Sequence, residues 1–241
     1  MINSTEKSIL IIDDDPITKQ KLATYLVCIG YNVFVSTTGA EALKIINKEY
    51  LSLITLEILL PKLDGYEVCR QIRKNSSVPI IIITALDDLT SRMMGLELGA
   101  DEFITKPFSL KEVGMRINSN LRRYENGELK KSPRREEVFN FGSLTINLTK
   151  QQLRKDNTKI ILTKIEFSLL QLLIQNAGCK LSRATILDNI WGYTPERDID
   201  TRVVDVHIHR LRSKLEENPK TPDFILTARG IGYMFQTIKI N

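Results

Sequence analysis

The sequence predicts an α/β chain of two domains, in which a doubly wound five-stranded parallel sheet is followed by a smaller α+β domain. Over residues 1–124, short apolar runs alternate with amphipathic helical patterns, which is typical of a parallel sheet covered by helices on both faces. The segment 125–137 is polar and charged, with Gly127 and Pro133, and indicates a linker. Residues 138–241 then show short strand patterns, helical periodicity and a closing hairpin.

Five strands and five helices are predicted in the first domain. Each strand is a short apolar or β-branched run, and each helix is an amphipathic stretch. The strands are predicted at Ile9–Ile12, Val33–Ser36, Leu53–Leu56, Ile80–Ile83 and Phe103–Thr105. The helices are predicted at Ile17–Ile29, Gly39–Asn47, Gly65–Lys74, Leu89–Leu98 and Leu110–Arg123.

The second domain is predicted to hold short strands, three helices and a hairpin, in that order. Thr163, with Glu166 three residues later and an apolar run behind it, forms a capping box at the start of the first helix. The strands are predicted at Val138–Phe141, Leu144–Asn147 and Gln152–Arg154, and the helices at Lys164–Gln175, from Ser182 toward Trp191, and from Asp200 or Thr201 to before Pro219. Two further strands join around Arg229 and Gly230, which indicates a hairpin.

The basic charge of the chain is confined to its second part. The chain carries 34 Lys and Arg against 29 Asp and Glu, a net charge of +5. Residues 1–124 contain 15 of each sign, whereas residues 125–241 contain 19 basic and 14 acidic side chains. A neutral domain joined to a basic one indicates that the second part meets a polyanion.

Composition argues against several other classes of protein. The apolar runs are too short to span a membrane, and the start MINSTEKSIL has no basic stretch followed by an apolar core, so no signal peptide is expected. Cys28, Cys69 and Cys179 are widely spaced and form no CxxC pair. They are expected to be reduced thiols, neither disulfides nor a zinc site.

Polar and charged side chains follow four of the five predicted strands of the first domain. The groups are Asp13, Asp14 and Asp15 after the first strand, Glu57 after the third, Thr84 at the end of the fourth, and Lys106 after the fifth. Because ligands bind at the carboxyl ends of parallel strands, we expect these side chains to converge. Carboxylates suit Mg²⁺, and a lysine with a hydroxyl could hold two oxygens of a transferred phosphoryl group.

Four motifs, ILIIDDD, LPKLDGYEVCR, PIIIITA and GADEFITKPF, resemble the receiver domain of response regulators, and the resemblance covers residues 7–124. It implies a flavodoxin-like fold, a phosphorelay with a sensor histidine kinase, and Mg²⁺ as cofactor. It also implies roles as Mg²⁺ ligands for Asp13 and Asp14, as phosphoryl contact for Lys106, and as reporters of phosphorylation for Thr84 and Phe103. The phosphate acceptor should stand four residues before Pro61, where the family has Asp and this chain has Glu57.

Glu57 changes the expected chemistry of this position. Its extra methylene moves the carboxylate by up to ~1.5 Å, and a misplacement near 1 Å can cost about a hundredfold in rate. Asp64 lies in the turn beyond Pro61 and is not expected to substitute. Three alternatives follow: Glu57 reaches Lys106 and Thr84 and partly imitates the phosphorylated state, the pocket is inactive, or Glu57 is still phosphorylated. We favour inactive or constitutive behaviour over ordinary switching.

A symmetric dimer face is expected on the fourth helix, fifth strand and fifth helix of the first domain. Its charged residues match those with which receivers of the OmpR/PhoB type pair, and a two-fold interface needs both signs of charge on one patch. The residues are Arg92, Glu97, Asp101, Glu102, Glu112, Arg116 and Arg123.

The third helix of the second domain, TRVVDVHIHRLRSKL, is predicted to have two faces. Val203, Val206, Leu211 and Leu215 fall on an apolar stripe, and most of the basic side chains lie elsewhere. A helix that presents arginines can enter the major groove of DNA, where arginine reads guanine. Arg229, near the tip of the following hairpin, suits a minor-groove contact.

Residues 138–238 resemble the winged helix-turn-helix effector domain of the same OmpR/PhoB subfamily. The resemblance implies that Arg210 and Arg212 read bases and that Arg202, His207, Thr227 and Tyr233 lie near phosphates, with His209 unassigned. It also implies a loop that contacts RNA polymerase, with Trp191, Gly192, Glu196 and Asp198. His207 and His209, the chain's two histidines, are expected on different faces of the helix, so a metal site is not expected.

Together these features predict a transcriptional regulator of two-component type that binds tandem-repeat promoter sites in double-stranded DNA as a homodimer. A phosphoryl-transfer enzyme is disfavoured, because the sequence has no P-loop and that function leaves the second domain unexplained. A pure interaction adaptor is disfavoured by the basic helix and the Arg-tipped hairpin. The wording ENPKTPDFILTARGIGYMFQ resembles regulators of cyanobacteria and their plastid-encoded relatives, which implies the plastid stroma of a chloroplast or, alternatively, a bacterial cytoplasm.

Overall fold

The computed structural model describes residues 7–126, 138–156, 158–192 and 201–236, and the backbone alone for 122–126. The chain divides into two compact units, Met1–Arg122 and Arg123–Asn241, and each is described by itself. Among the described helices none is both long and apolar enough to cross a membrane.

The first unit is built on a parallel sheet of five strands. The strands are β1 (Ser8–Ile12), β2 (Asn32–Ser36), β3 (Leu53–Leu56), β4 (Ile80–Thr84) and β5 (Glu102–Thr105). Their order across the sheet is β2-β1-β3-β4-β5, with every neighbouring pair parallel. This confirms the predicted doubly wound fold. The chain order reverses between β1 and β3, where open sheets of this kind form a crevice at the carboxyl ends of the strands.

Five helices cover the sheet of the first unit. They are α1 (Pro16–Cys28), α2 (Gly39–Lys48), α3 (Gly65–Asn75), α4 (Leu89–Glu97) and α5 (Leu110–Asn126). The first four begin at side-chain caps, from Asp15, Thr38, Asp64 and Asp88. The last continues through Asn126, into the predicted linker, and the rest of that linker, 127–137, lies outside the described residues.

The core of the first unit explains why its strands are continuous apolar runs. Residues Ile9 to Ile12 are at most 1% exposed, because both faces of a parallel sheet are covered by helices. Against one face, Ile9 and Ile11 pack with Leu22 of α1 and Val113 of α5. At the carboxyl end of β3, a Cβ on Gly65 would lie 2.3 Å from the Glu57 carbonyl oxygen. Glycine therefore lets α3 begin directly against the strand end that carries Glu57.

The second unit contains an antiparallel four-stranded sheet, three helices and a three-stranded sheet. The first sheet is β6 (Val138–Phe141), β7 (Leu144–Asn147), β8 (Gln152–Lys155) and β9 (Thr158–Ile160), and the helices are α6 (Lys164–Gln175), α7 (Arg183–Trp191) and α8 (Arg202–Leu215). The second sheet, in the order β10-β12-β11, joins β10 (Leu181–Ser182), β11 (Ile225–Ala228) and β12 (Gly232–Phe235). The capping box of Thr163 and Glu166 is confirmed.

Two strands of the second unit, β9 and β10, were not predicted from the sequence. The first reads TKI and the second is two residues long, so neither carries an alternating apolar pattern. Both exist because partner strands supply their hydrogen bonds. At the β10–β12 contact, a Cβ on Gly232 would lie 2.2 Å from the carbonyl oxygen of Leu181, so glycine permits the close approach of the two backbones.

Thr55, in the middle of β3, provides a test of the packing of the first unit. The residue is 2% exposed, and its Oγ1 has no hydrogen-bond partner among the described residues. A buried unsatisfied hydroxyl costs about 1–3 kcal/mol. We therefore expect Thr55→Val to raise the free energy of unfolding by about 1 kcal/mol in denaturant titrations. Thr90→Val, on an exposed helix position, should change it by less than about 0.5 kcal/mol. A loss of stability in Thr55→Val would contradict this account.

Candidate functional site

Asp13, Glu57 and Lys106 meet at the carboxyl ends of β1, β3 and β5. The Lys106 Nζ lies 2.8 Å from Asp13 Oδ2 and 2.8 Å from Glu57 Oε2. Both acids are 4% exposed. The Lys106 amide donates to the Thr84 carbonyl oxygen at 2.8 Å. This hydrogen bond holds the backbone of Lys106 against the end of β4. The structure therefore brings together three of the groups that the strand ends predicted.

The carboxylate of Glu57 turns back over the end of its own strand. Its Oε1 accepts hydrogen bonds from the amides of Ile58, at 2.7 Å, and Leu59, at 3.0 Å. Its Oε2 faces Lys106. Two amides and one ammonium thus surround the carboxylate, and charge-assisted hydrogen bonds of this kind are the stronger ones.

Asp13 is bound by one backbone amide and by Lys106. Its Oδ1 accepts the Asp15 amide at 2.9 Å, and its Oδ2 accepts from Lys106. Burial raises the pKa of Asp13, and the hydrogen bonds from Lys106 and the Asp15 amide offset only part of that rise. For Lys106, burial alone would lower the pKa, but its hydrogen bonds to Asp13 and Glu57 raise it overall. Lys106 therefore remains an ammonium that bridges two acids.

The other two aspartates after β1 do not enter this cluster. Asp14 is exposed. Asp15 caps α1, since its side chain accepts hydrogen bonds from the amides of Ile17 and Thr18. Asp64, which the sequence placed beyond the strand end, is likewise a helix cap and accepts from the Glu67 amide at 2.8 Å.

The two residues expected to report phosphorylation lie near the cluster without bonding to Glu57. Thr84 is fully buried, and its Oγ1 accepts the Leu86 amide at 3.4 Å. In the described ranges no hydrogen bond joins Thr84 to Glu57. Phe103 is half-buried, with the Arg92 guanidinium 5.6 Å from the centre of its ring.

Several residues of the predicted dimer face form ion pairs within the unit. Arg116 pairs with Glu102 at 3.4 Å and with Glu112 at 3.0 Å. Asp101, 1% exposed, pairs with Arg73 at 2.8 Å. Glu97 is exposed. The side chain of Arg123 lies outside the described part of the chain.

In the second unit, the buried face of α8 is wider than the predicted apolar stripe. Val206, Leu211 and Leu215 are buried as predicted, and Val203 is partly buried against the core. Val204 and Ile208 are buried in addition. The exposed positions include Arg202 and His209. The buried face is wider because the helix buries polar as well as apolar side chains along its length.

Arg210, predicted to read bases, points into the domain. It is 8% exposed and lies 2.9 Å from Oε1 of the fully buried Glu166. Lys214 lies 2.6 Å from the other oxygen of the same acid. Burial alone would raise the pKa of Glu166, but Arg210 and Lys214 lower it below its usual value of 4.5. The physical reason for the difference is this buried counter-ion on α6.

His207 and Trp191 are also buried in the structure. His207 is fully buried, and the centres of its ring and that of Trp191 lie 5.1 Å apart. His207 was predicted to lie near a phosphate, but the structure places it in the interior of the domain. Gly192 ends α7 in the left-handed conformation at φ 71°. Glu196 and Asp198 of the predicted polymerase loop lie outside the described residues.

Arg212 joins α8 to the hairpin of β11 and β12. Its guanidinium donates to the Ile225 carbonyl oxygen at 2.6 and 2.9 Å and to Thr227 Oγ1 at 2.8 Å. Its carbon centre lies 5.4 Å from the ring centre of Tyr233. Thr227 and Arg229 are exposed. Arg229 lies in a turn closed by the Ile231 amide and the Ala228 carbonyl oxygen.

Asp205 and Arg183, which the sequence analysis did not single out, also contact the hairpin. Asp205 Oδ1 accepts hydrogen bonds from Arg183 Nε at 2.7 Å and from the Tyr233 hydroxyl at 2.7 Å. Tyr233 is 5% exposed, and burial together with its hydrogen bond to Asp205 raises its pKa to about 12. Arg183 and Asp205 are 22 residues apart in the chain, so no local sequence pattern could predict their ion pair.

Comparison with known proteins assigns both units to families. Residues 9–118 match the response regulator receiver domain, and residues 157–235 match the family described as "Transcriptional regulatory protein, C terminal". The "Probable transcriptional regulator ycf27" of Cyanophora paradoxa is 54% identical over 96% of this chain and 97% of that protein. The chain belongs to the OmpR/PhoB family of response regulators.

Two further relatives of this response regulator agree with the assignment. The "DNA-binding response regulator MtrA" of Mycolicibacterium smegmatis is 34% identical over 96% of this chain and 98% of that protein. The crystal structure of DrrB, an OmpR/PhoB homologue of Thermotoga maritima, is 32% identical with a TM-score of 0.50, over 96% of this chain and all of that one. The response regulator is thus a transcriptional regulator with a DNA-binding domain, and the prediction that it is not an enzyme is confirmed.

Receiver domains bind Mg²⁺ for phosphorylation, and in the pocket of this response regulator the two buried acids are bridged by Lys106. All four carboxylate oxygens of Asp13 and Glu57 already accept from amides or from Lys106. Within the described ranges no group of three or more His, Cys, Asp and Glu side chains is placed to hold a metal.

The buried acid Glu166 provides a test of how α8 is held. Removing one partner of a buried ion pair costs about 3–5 kcal/mol, so Glu166→Gln should lower the free energy of unfolding by about 3 kcal/mol at neutral pH. Because the folded pKa of Glu166 is lowered, its contribution is present above pH 4.5 and is lost as the pH falls below that value. The difference from wild type should therefore shrink in acid.

Denaturant unfolding at several pH values measures this effect. Glu217→Gln, an exposed acid close to the end of the same helix, is the matched control and should change stability by less than about 0.5 kcal/mol. Equal stability of the two variants would show that Glu166 does not anchor Arg210 and Lys214.

Proposed function

We propose that this response regulator controls transcription without being switched by phosphate, and that Glu57 occupies the position of the phosphate acceptor. The observation that carries the proposal is the 2.8 Å contact between Glu57 Oε2 and Lys106 Nζ. In this reading, residues 1–124 are the receiver, 125–137 the linker and 138–241 the winged-helix domain.

The geometry argues against efficient phosphorylation of Glu57. An attacking carboxylate oxygen must be in line with the phosphorus. Here one oxygen is held by two amides and the other by Lys106. Lys106, which would have to neutralise the phosphoryl oxygens, already serves two acids. The proposed Mg²⁺ ligands, Asp13 and Asp14, are divided between this cluster and the exposed surface.

The same contact supports partial imitation of the phosphorylated state. Glu57 places a negative charge on Lys106, as a phosphoryl group would. It supplies one charge where a phosphoryl group supplies nearly two, and Thr84 is bonded elsewhere. We therefore propose a constitutive receiver with part of the activity of a phosphorylated one, able to form a homodimer through the charged face of α4, β5 and α5.

The DNA-binding surface is proposed to consist of the exposed side of α8 and the hairpin tip. Arg202, His209, Arg212, Thr227 and Arg229 supply its contacts. Arg210 and His207 are assigned to the interior on the basis of their burial. Tandem-repeat promoter sites, RNA polymerase and a sensor kinase are the proposed partners.

A location in the plastid stroma is proposed from the relatives named ycf27. Bacterial cytoplasm is the alternative, supported by relatives such as MtrA.

Labelling with acetyl phosphate and Mg²⁺ tests the mode of control. Glu57→Asp shortens the side chain by one methylene to the length of the family's acceptor, so we expect it to incorporate phosphate about a hundredfold faster than wild type. Equal labelling would instead establish a conventional phosphorelay at Glu57.

DNA binding by the same variants tests the imitation separately. Wild type should bind a tandem-repeat duplex more tightly than unphosphorylated Glu57→Asp, and Glu57→Gln, which removes the charge, should fall to the lower level. If wild type binds no better than unphosphorylated Glu57→Asp, Glu57 does not imitate a phosphoryl group.

Arg229→Ala tests the assignment of the hairpin tip. The arginine is exposed, so its loss should not affect folding. It should weaken DNA binding by about 1–3 kcal/mol. The slope of log affinity against log salt concentration, measured by fluorescence anisotropy, should fall by about one, the value for one phosphate contact. Arg154→Ala, also exposed but on β8, is the control with the same change of charge. An equal effect of both substitutions would show that the hairpin tip has no special role.

A further inference from the structure

Four side chains form a cluster between α7, α8 and β12, which we call the Asp205 cluster: Arg183, Asp205, Arg212 and Tyr233. The carbon centres of the two guanidinium groups lie 5.1 and 5.4 Å from the centre of the Tyr233 ring. Asp205 Oδ1 accepts from both Arg183 Nε and the Tyr233 hydroxyl. One carboxylate oxygen thus holds a donor from α7 and a donor from β12.

These two donors are of the types that bind DNA phosphates. Arginine and tyrosine side chains are regular phosphate contacts in protein–DNA complexes. Tyr233 was expected to lie near a phosphate, yet its single proton is directed at Asp205. In the protein without DNA, the carboxylate therefore fills the role that a phosphate oxygen would fill.

Asp205 lies on the accessible side of α8. Its side chain is 37% exposed and that of Arg183 is 32% exposed. It stands one turn from Arg202 and one turn from His209, both exposed. An acid in the first turn of a helix stabilises the helix, but that role alone requires neither Arg183 nor Tyr233. A negative charge here also opposes the approach of phosphates of any sequence.

We propose that Asp205 is a specificity-determining positioning residue of the DNA-binding domain. It keeps the partly exposed Arg183 from binding phosphates indiscriminately, and it holds the buried Tyr233 ring against Arg212, which is bonded to Thr227 and Ile225. Binding to DNA of any sequence is thereby weakened, while the orientation of Arg212 for base contacts is preserved. The inference rests on the proposed use of this face to bind DNA.

Asp205→Asn provides the test, with two duplexes as probes. One duplex is enriched by the wild-type chain from a random-sequence pool, and the other is a scrambled duplex of the same composition. We expect Asp205→Asn to bind the scrambled duplex roughly tenfold more tightly. We also expect its salt dependence to be steeper by about one contact and its preference for the enriched duplex to fall.

Three controls separate this role from a structural one. Asp223→Asn removes an exposed charge from the same domain and should leave the preference unchanged. Asp205→Glu keeps the charge and should retain the wild-type salt dependence. Thermal unfolding of each variant shows whether the fold is intact.

The outcomes are distinct. If Asp205→Asn behaves like Asp223→Asn, or if it loses affinity for both duplexes equally, the proposal is overturned. If the wild-type chain enriches no duplex at all, it is the proposed DNA-binding function that fails. If Asp205→Asn is unstable, Tyr233→Phe replaces it, with the expectation that the preference for the enriched duplex falls, and an unchanged preference counts against the proposal.

Discussion

The ammonium of Lys106, held between Asp13 and Glu57, is the interaction around which the carboxyl edge of the first unit's sheet is arranged. It satisfies two buried acids at the switch point of the sheet, where the fold leaves a crevice. Two acids so close would otherwise repel each other in a poorly solvated place. The folded-back Glu57 also takes the amides of Ile58 and Leu59. The polar groups of this cluster thus find their partners within the unit.

The second unit uses the same arrangement with the charges reversed. There a buried acid, Glu166, serves two cations of α8. Arg210 is drawn inward, so the outward side carries Arg202, Asp205 and His209. Each unit therefore contains a buried ionic cluster in which one central charge is shared between two partners. In both clusters, the cost of burying the central charge is offset because two oppositely charged groups contact it.

The fold was largely accessible from the sequence, since apolar runs and helical periods predict elements whose own residues carry the signal. All ten elements of the first unit were anticipated, as was the capping box at Thr163. What the sequence did not reveal depends on contacts between distant residues. β9 and β10 are strands because partners pair with them, and Arg210 is internal because Glu166 lies across from it. The convergence of Asp13, Glu57 and Lys106 was predictable from topology, whereas the way in which Glu57 folds back was not.

Gly232, at the start of β12, sets where the hairpin is held. Since its backbone touches that of Leu181 with no room for a side chain, the tip end of the hairpin is fastened to β10, the strand that leads directly into α7. The turn that carries Arg229 is thereby held in a fixed position relative to the start of α7.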